Sequence, residues 1–96
     1  MARFELGQVC VTCGVNSLMA DNGEFAWFVK KCFSRFISCD WGEMCEADKQ
    51  QNEEALKHND ARLFAAYENA AHPDWKIWII TEWDRSATTA LFPSEY

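Results

Sequence analysis

The sequence predicts an α+β domain, a mainly antiparallel sheet of about four strands with two or three helices packed against it. Three observations carry that expectation. The first half of the stretch from Trp75 to Phe92 alternates: Trp75, Ile77, Ile79, Thr81 and Trp83 fall on one face of a strand, and Lys76, Trp78, Ile80 and Glu82 on the other. Large apolar groups on both faces predict an interior strand rather than an edge. Between Glu24 and Ile37, Phe25, Phe28, Val29, Cys32 and Phe36 recur at spacings of three and four, the stripe of a core-facing helix. The last strands follow one another across short turns, which favours antiparallel pairing.

Taken in order, Arg3 to Cys13 reads as a first strand, with Gly7 as a bulge position. Val15 to Ala20 gives one or two helical turns, and Asp21-Asn22-Gly23 breaks the chain before the main helix. Trp27, Phe33 and Ile37 widen that helix's stripe, with Lys30, Lys31 and Arg35 turned outward or laid along apolar neighbours. Ser38 to Glu43 is a loop in which Gly42 permits a turn and Asp40 accepts backbone N–H bonds. Glu46 to His58 has helix formers but only Ala47, Ala55 and Leu56 as apolar members, so it lies on the surface, and Asn59-Asp60 ends it. A second strand begins at Arg62 to Tyr67, and Glu68 to Asp74 stops it at Pro73. Asp84-Arg85-Ser86 then closes the final hairpin, for the order β-α-α-α-β-β-β.

At 96 residues the chain holds one domain, residues 1–96, with a single core rich in ring area: 7 Phe, 5 Trp and 2 Tyr. The net charge of −6 argues against duplex nucleic acid as a direct ligand, because phosphate contacts need clustered Lys and Arg. Met1 to Gln8 contains Arg3 and Glu5 and lacks the apolar run of a signal peptide. Phe25 to Ile37 is interrupted by three bases and falls short of the ~20 residues of a membrane span. A cytoplasmic chain is expected, and its 5 cysteines are expected as thiols rather than a disulfide framework.

No group of residues assembles a catalytic signature. Cys10-x-x-Cys13-Gly14 has the spacing of a zinc knuckle, but Cys39 and Cys45 make no second close pair, so neither metal nor another cofactor is expected. His58 and His72 have no identifiable orienter beside Ser86 or a cysteine, which leaves a nucleophile unactivated. The hairpin tip gathers Glu82, Asp84, Arg85, Ser86 and Thr88, groups suited to a small polar ligand or to turn chemistry, with Asp84 capping the turn and Arg85 paired with Glu82 or Asp40. Charge is the more informative signal. Asp40, Glu43, Glu46, Asp48, Glu53, Glu54 and Asp60 face only Lys49 and Lys57 between residues 40 and 60. Such a row serves solubility, or it steers a basic protein partner by imitating phosphate spacing. In the second case Asp40, Glu43, Glu46, Asp48, Glu53 and Glu54 are contact candidates, with Trp41 as an exposed aromatic anchor.

End to end the chain resembles a small family of bacterial plasmid and integrative-element proteins, often labelled plasmid-related. The resemblance rests on Phe4-x-Leu6-Gly7-Gln8-Val9, Asp40-Trp41-Gly42-Glu43, Asp48 with Asn52 and Leu56, Arg62-Leu63 with Ala66-Tyr67, and Trp78-Ile79-Ile80-Thr81-Glu82-x-Asp84-Arg85-Ser86-x-Thr88-Thr89 with Pro93 and Glu95-Tyr96. Where that family has an Ala-Thr-Pro-Gly-like turn, this chain has Val11-Thr12-Cys13-Gly14, which further weakens the zinc reading. The resemblance implies carriage on mobile DNA and a non-enzymatic anti-defence role, such as anti-CRISPR or anti-restriction inhibition of a host defence complex. The alternatives are a small-ligand or enzymatic domain using the 82–89 tip, or a structural homodimer built on exposed aromatic surface.

Overall fold

The two-sided alternation of residues 75–83 becomes an interior strand in the computed structural model, which describes residues 4–58 and 61–96. The strands are β1 (Gln8–Val11), β2 (Leu63–Glu68), β3 (Lys76–Thr81) and β4 (Ala87–Leu91); the helices are α1 (Cys13–Asp21), α2 (Gly23–Ile37) and α3 (Glu46–His58). A 3-10 turn at Pro93–Glu95 follows β4. The sheet order is β1-β4-β3-β2.

The sheet is mixed. β2, β3 and β4 pair antiparallel through short connections, as expected, but β1 runs parallel to β4. The short-turn argument never applied to β1, because three helices separate it from the other strands, and a long connection permits the parallel direction. β1 is also shorter than the Arg3–Cys13 reading, of which Arg3 lies outside the described residues. Thr12 caps α1, its Oγ1 accepting the Val15 N–H at 3.4 Å, so Cys13 is already helical. At the other end Gly7 turns the chain with φ +64°, and a Cβ there would overlap the Arg85 carbonyl and the Ser86 backbone.

Register sorts the side chains into two layers. Leu63, Ala65 and Tyr67 stand opposite Thr81, Ile79 and Ile77, and Ala90 and Thr88 continue the same face across β4. All eight are at most 1% exposed. They form the core with the α2 stripe, whose Phe25, Phe28, Val29, Cys32 and Phe36 are all buried. Asn22 starts α2 by accepting the Glu24 and Phe25 N–H groups at 3.0 and 3.1 Å, a cap whose loss typically costs about 1 kcal/mol. On the opposite face, Phe64 and Trp78 lie 5.0 Å apart, and the turn after β4 brings Tyr96 to 5.6 Å from Trp78. Among the described residues, no helix is long and apolar enough to cross a membrane.

Candidate functional site

An exposed β2 edge would leave alternate backbone groups unpaired, and the residues around α3 answer that need. Phe64, Ala66 and Glu68 turn their N–H groups away from β3. The Asn52 side chain accepts the Phe64 N–H at 3.1 Å and donates to the Phe64 carbonyl at 2.7 Å, so one amide replaces a neighbouring strand. Next along the edge, the Glu43 N–H donates to the Ala66 carbonyl at 2.7 Å, and the Ala66 N–H to the Trp41 carbonyl at 3.4 Å. Glu43 Oε2 accepts the Glu68 N–H at 3.1 Å. Gly42, at φ +77°, makes the close approach, because a Cβ would strike the Ala66 carbonyl and the Tyr67 ring.

The Asn52 bonds hold α3 against the sheet at its middle, those of Trp41 and Glu43 hold the loop before it, and Arg85 holds the helix at its C-terminal end. Arg85 Nη2 donates to the Ala55 carbonyl at 3.2 Å, and Nη1 to those of Ala61, Glu82 and Trp83 at 2.7, 3.1 and 3.3 Å. A cation at a helix C-terminus also meets the negative end of the helix dipole. Arg85 therefore has a role different from the expected pairing with Glu82 or Asp40. It is 7% exposed, and its backbone at φ +61° folds the side chain inward from the hairpin. Asp40 belongs instead to Arg35, in a two-pronged pair of 2.8 and 3.2 Å that holds its carboxyl below the usual range.

The rest of the hairpin tip divides between structure and surface. Thr88 is fully buried and donates to the Leu6 carbonyl at 2.7 Å, so in its 2.7 Å bond with Thr81 the Thr81 hydroxyl is the donor. Asp84 caps the turn as expected, accepting the Ser86 N–H at 3.1 Å, and the Ser86 hydroxyl and N–H lower its pKa. Glu82 and Ser86 are exposed. Two of the five groups, Arg85 and Thr88, are thus internal to the fold.

The acidic candidates separate in the same way. Trp41 is not an exposed anchor: it is 4% exposed, packed edge-on against Phe36 at 5.6 Å, and its Nε1–H donates to Glu53 Oε2 at 2.9 Å. The loop polarity around it hid that an indole can bury its rings once its N–H finds an acceptor. Asp40, Glu43 and Glu53 thus serve the fold, while Glu46, Asp48 and Glu54 project from α3 into solvent. Glu54 meets His58 at 3.3 Å across one turn. Asp60 lies outside the described residues.

Sequence reasoning missed Asn52, although a signal was present. Asn52 sits three and four residues before Ala55 and Leu56, so it shares their stripe. A polar group on a buried stripe demands a bonded partner. Three clefts lined by described residues flank α3. One, of about 370 Å3, lies between the helix and residues 61–64, lined by Met44, Asp48, Gln51, Asn52, Ala61, Arg62 and Phe64. A neighbour of about 390 Å3 shares Gln51 and Ala61, and a third of about 290 Å3 opens beside Trp41. None of the three includes a hairpin-tip residue.

His58 faces Glu54, and His72 stacks on Trp75 at 3.8 Å with Nε2 2.8 Å from Glu24. Burial pushes the Cys32 thiol up to about 12, which keeps it protonated. Cys10 lies in β1 and Cys13 opens α1, and the described residues contain no group of three or more metal-ligating side chains. Fold and site together define a two-layer α+β domain with an acidic helix clamped to its sheet edge. In comparisons with known proteins the chain matches no family model, no curated protein and no solved structure.

Proposed function

We propose that the chain is a cytoplasmic, non-enzymatic binding protein that docks the outer face of α3 on a basic, nucleic-acid-handling surface of a host defence complex and blocks it. The observation that carries this reading is the clamp. Asn52 fixes the helix at its middle, Arg85 near its C-terminal end and Glu43 the loop that leads into it, while Glu46, Asp48 and Glu54 remain in solvent. Carboxylates on a preorganised backbone lose little freedom on association, and they steer a basic partner from a distance. The net charge of −6 has the same sign as the nucleic acid such a partner normally holds. The resemblance to mobile-element proteins directs the choice of partner to restriction and CRISPR complexes.

The test is an affinity pull-down from bacterial lysate at low and high salt, with wild-type protein and a Glu46→Lys/Glu54→Lys variant as baits. Both positions are exposed and serve no bond that moors the helix, so circular dichroism should report an intact fold. Recovery of a nuclease, restriction or CRISPR subunit that fails with the variant and at high salt is the expected result. Equal recovery by the variant would remove α3 from the mechanism.

A further inference from the structure

The cleft between α3 and residues 61–64 shares Asp48 with the docking face, and the rest of its lining is separate from that face. Its floor is the Phe64 ring, held on one side by Trp78 at 5.0 Å and by Tyr96 at 6.5 Å. The Phe64 backbone is fixed at both N–H and carbonyl by Asn52, and the Met44 thioether adds a second apolar wall. At about 370 Å3 the cleft is in the size range of small-molecule sites, and its main apolar surface is preformed.

Two opposite charges line it. Arg62 is positioned by a 2.6 Å bond from Nη1 to the Tyr96 hydroxyl, with its guanidinium carbon 5.7 Å from the Phe64 ring centre and 5.6 Å from that of Tyr96. That bond uses one N–H, and the remaining donors of the guanidinium fork suit a carboxylate. Asp48 stands on the α3 wall, and the ion pairs among the described residues include none between it and Arg62. Gln51, with both a donor and an acceptor, lines the same wall. A positive and a negative group that share a cleft without neutralising each other, over an aromatic floor, complement a ligand that carries both charges and an apolar body. An anion alone would meet the Asp48 carboxylate, and a cation alone would meet Arg62.

We propose that this cleft binds a small zwitterion with an apolar or aromatic side chain, of the free amino acid or short peptide class. Its carboxylate lies on Arg62, its ammonium on Asp48, and its side chain over Phe64 and Met44. This inference shares Asp48 with the docking reading but needs neither Glu46 nor Glu54, so the Glu46→Lys/Glu54→Lys bait tests docking without touching the cleft.

The experiment is a 15N–1H NMR titration of the whole chain with L-phenylalanine and with a phenylalanine-containing dipeptide, which span two charge separations. Phenethylamine, lacking the carboxylate, and 3-phenylpropionate, lacking the ammonium, are the controls. At least one zwitterion should give saturable shifts at Met44, Gln51 and Phe64 in the millimolar range or below, with both controls at least tenfold weaker. In Asp48→Asn the zwitterion should bind no better than phenylpropionate, and in Arg62→Gln no better than phenethylamine. Both side chains are exposed, and amide dispersion checks that each variant is folded. Absence of saturable shifts with either zwitterion, or equal binding of a control to wild type, would overturn the proposal.

Discussion

Replacing Asn52 by alanine tests whether the amide that stands in for a missing strand stabilises the protein. The side chain is 3% exposed and makes two bonds, 2.7 and 3.1 Å, to the backbone of Phe64. Each backbone group stranded without a partner costs about 1–3 kcal/mol, so the raw loss is roughly 2–6 kcal/mol. Water entering from the adjoining cleft would re-bond part of what the amide leaves, which brings the expected loss to about 2–3 kcal/mol. For a domain of this length that lowers Tm by roughly 10–20 °C. Urea denaturation monitored by circular dichroism gives the free energy, and hydrogen exchange gives the location. The Phe64 amide should lose protection in Asn52→Ala, while Ala65 and Tyr67, on the alternate positions facing β3, keep theirs. A loss below about 0.5 kcal/mol with unchanged exchange at Phe64 would refute the reasoning, since an ordinary surface substitution does as much.

Two further outcomes follow from the titrating groups. Asp40 is held below its ordinary pKa first by its bond from Arg35, so its contribution is complete above the unfolded carboxylate value and drains as pH falls through the lower folded one. Both partners are more than a third exposed, so the contribution is a few tenths of a kcal/mol, and urea midpoints of wild type and Asp40→Asn should differ near neutrality and converge in acid. Because burial raises Cys32 to about 12, a thiol reagent at pH 8 should label the exposed Cys13 and Cys45 in the folded protein and reach Cys32 only after unfolding. Rapid native labelling of Cys32, read by peptide mass spectrometry, would contradict its burial on the core face of α2.

What the sequence disclosed depended on whether a residue's partners are local. The α2 stripe was legible because helical spacing alone places Phe25, Phe28, Val29, Cys32 and Phe36 on one side, and all five are buried. The interior position of β3 was legible for the same reason, from alternation. The direction of β1 was not, because its partner β4 lies some 80 residues away and no local pattern encodes that choice. Arg85 looked like a surface turn residue because the carbonyls it bonds come from Ala55 and Ala61 as well as its own hairpin. Trp41 looked exposed because its acceptor, Glu53, sits on another element, and only the folded chain brings the two together. The cleft was hidden likewise, since Asp48 and Arg62 belong to segments that read separately as a solvated helix and the start of a strand.

The two edges of the sheet are unequal, and this bears on how copies of the chain can meet. At β2 the outward backbone groups of Phe64 and Ala66, and the Glu68 N–H, are already taken by Asn52, Trp41 and Glu43. β1 has β4 as its one strand neighbour among the described residues, and Val9 on it is 52% exposed. A fibril built by strand addition needs two open edges on every copy, one to receive and one to offer. Among the described residues the fold offers at most one edge of that kind, so strand pairing between folded copies through it closes at two. The same Asn52 amide that steadies α3 therefore also terminates the sheet, and opening it would give each molecule a second edge to extend.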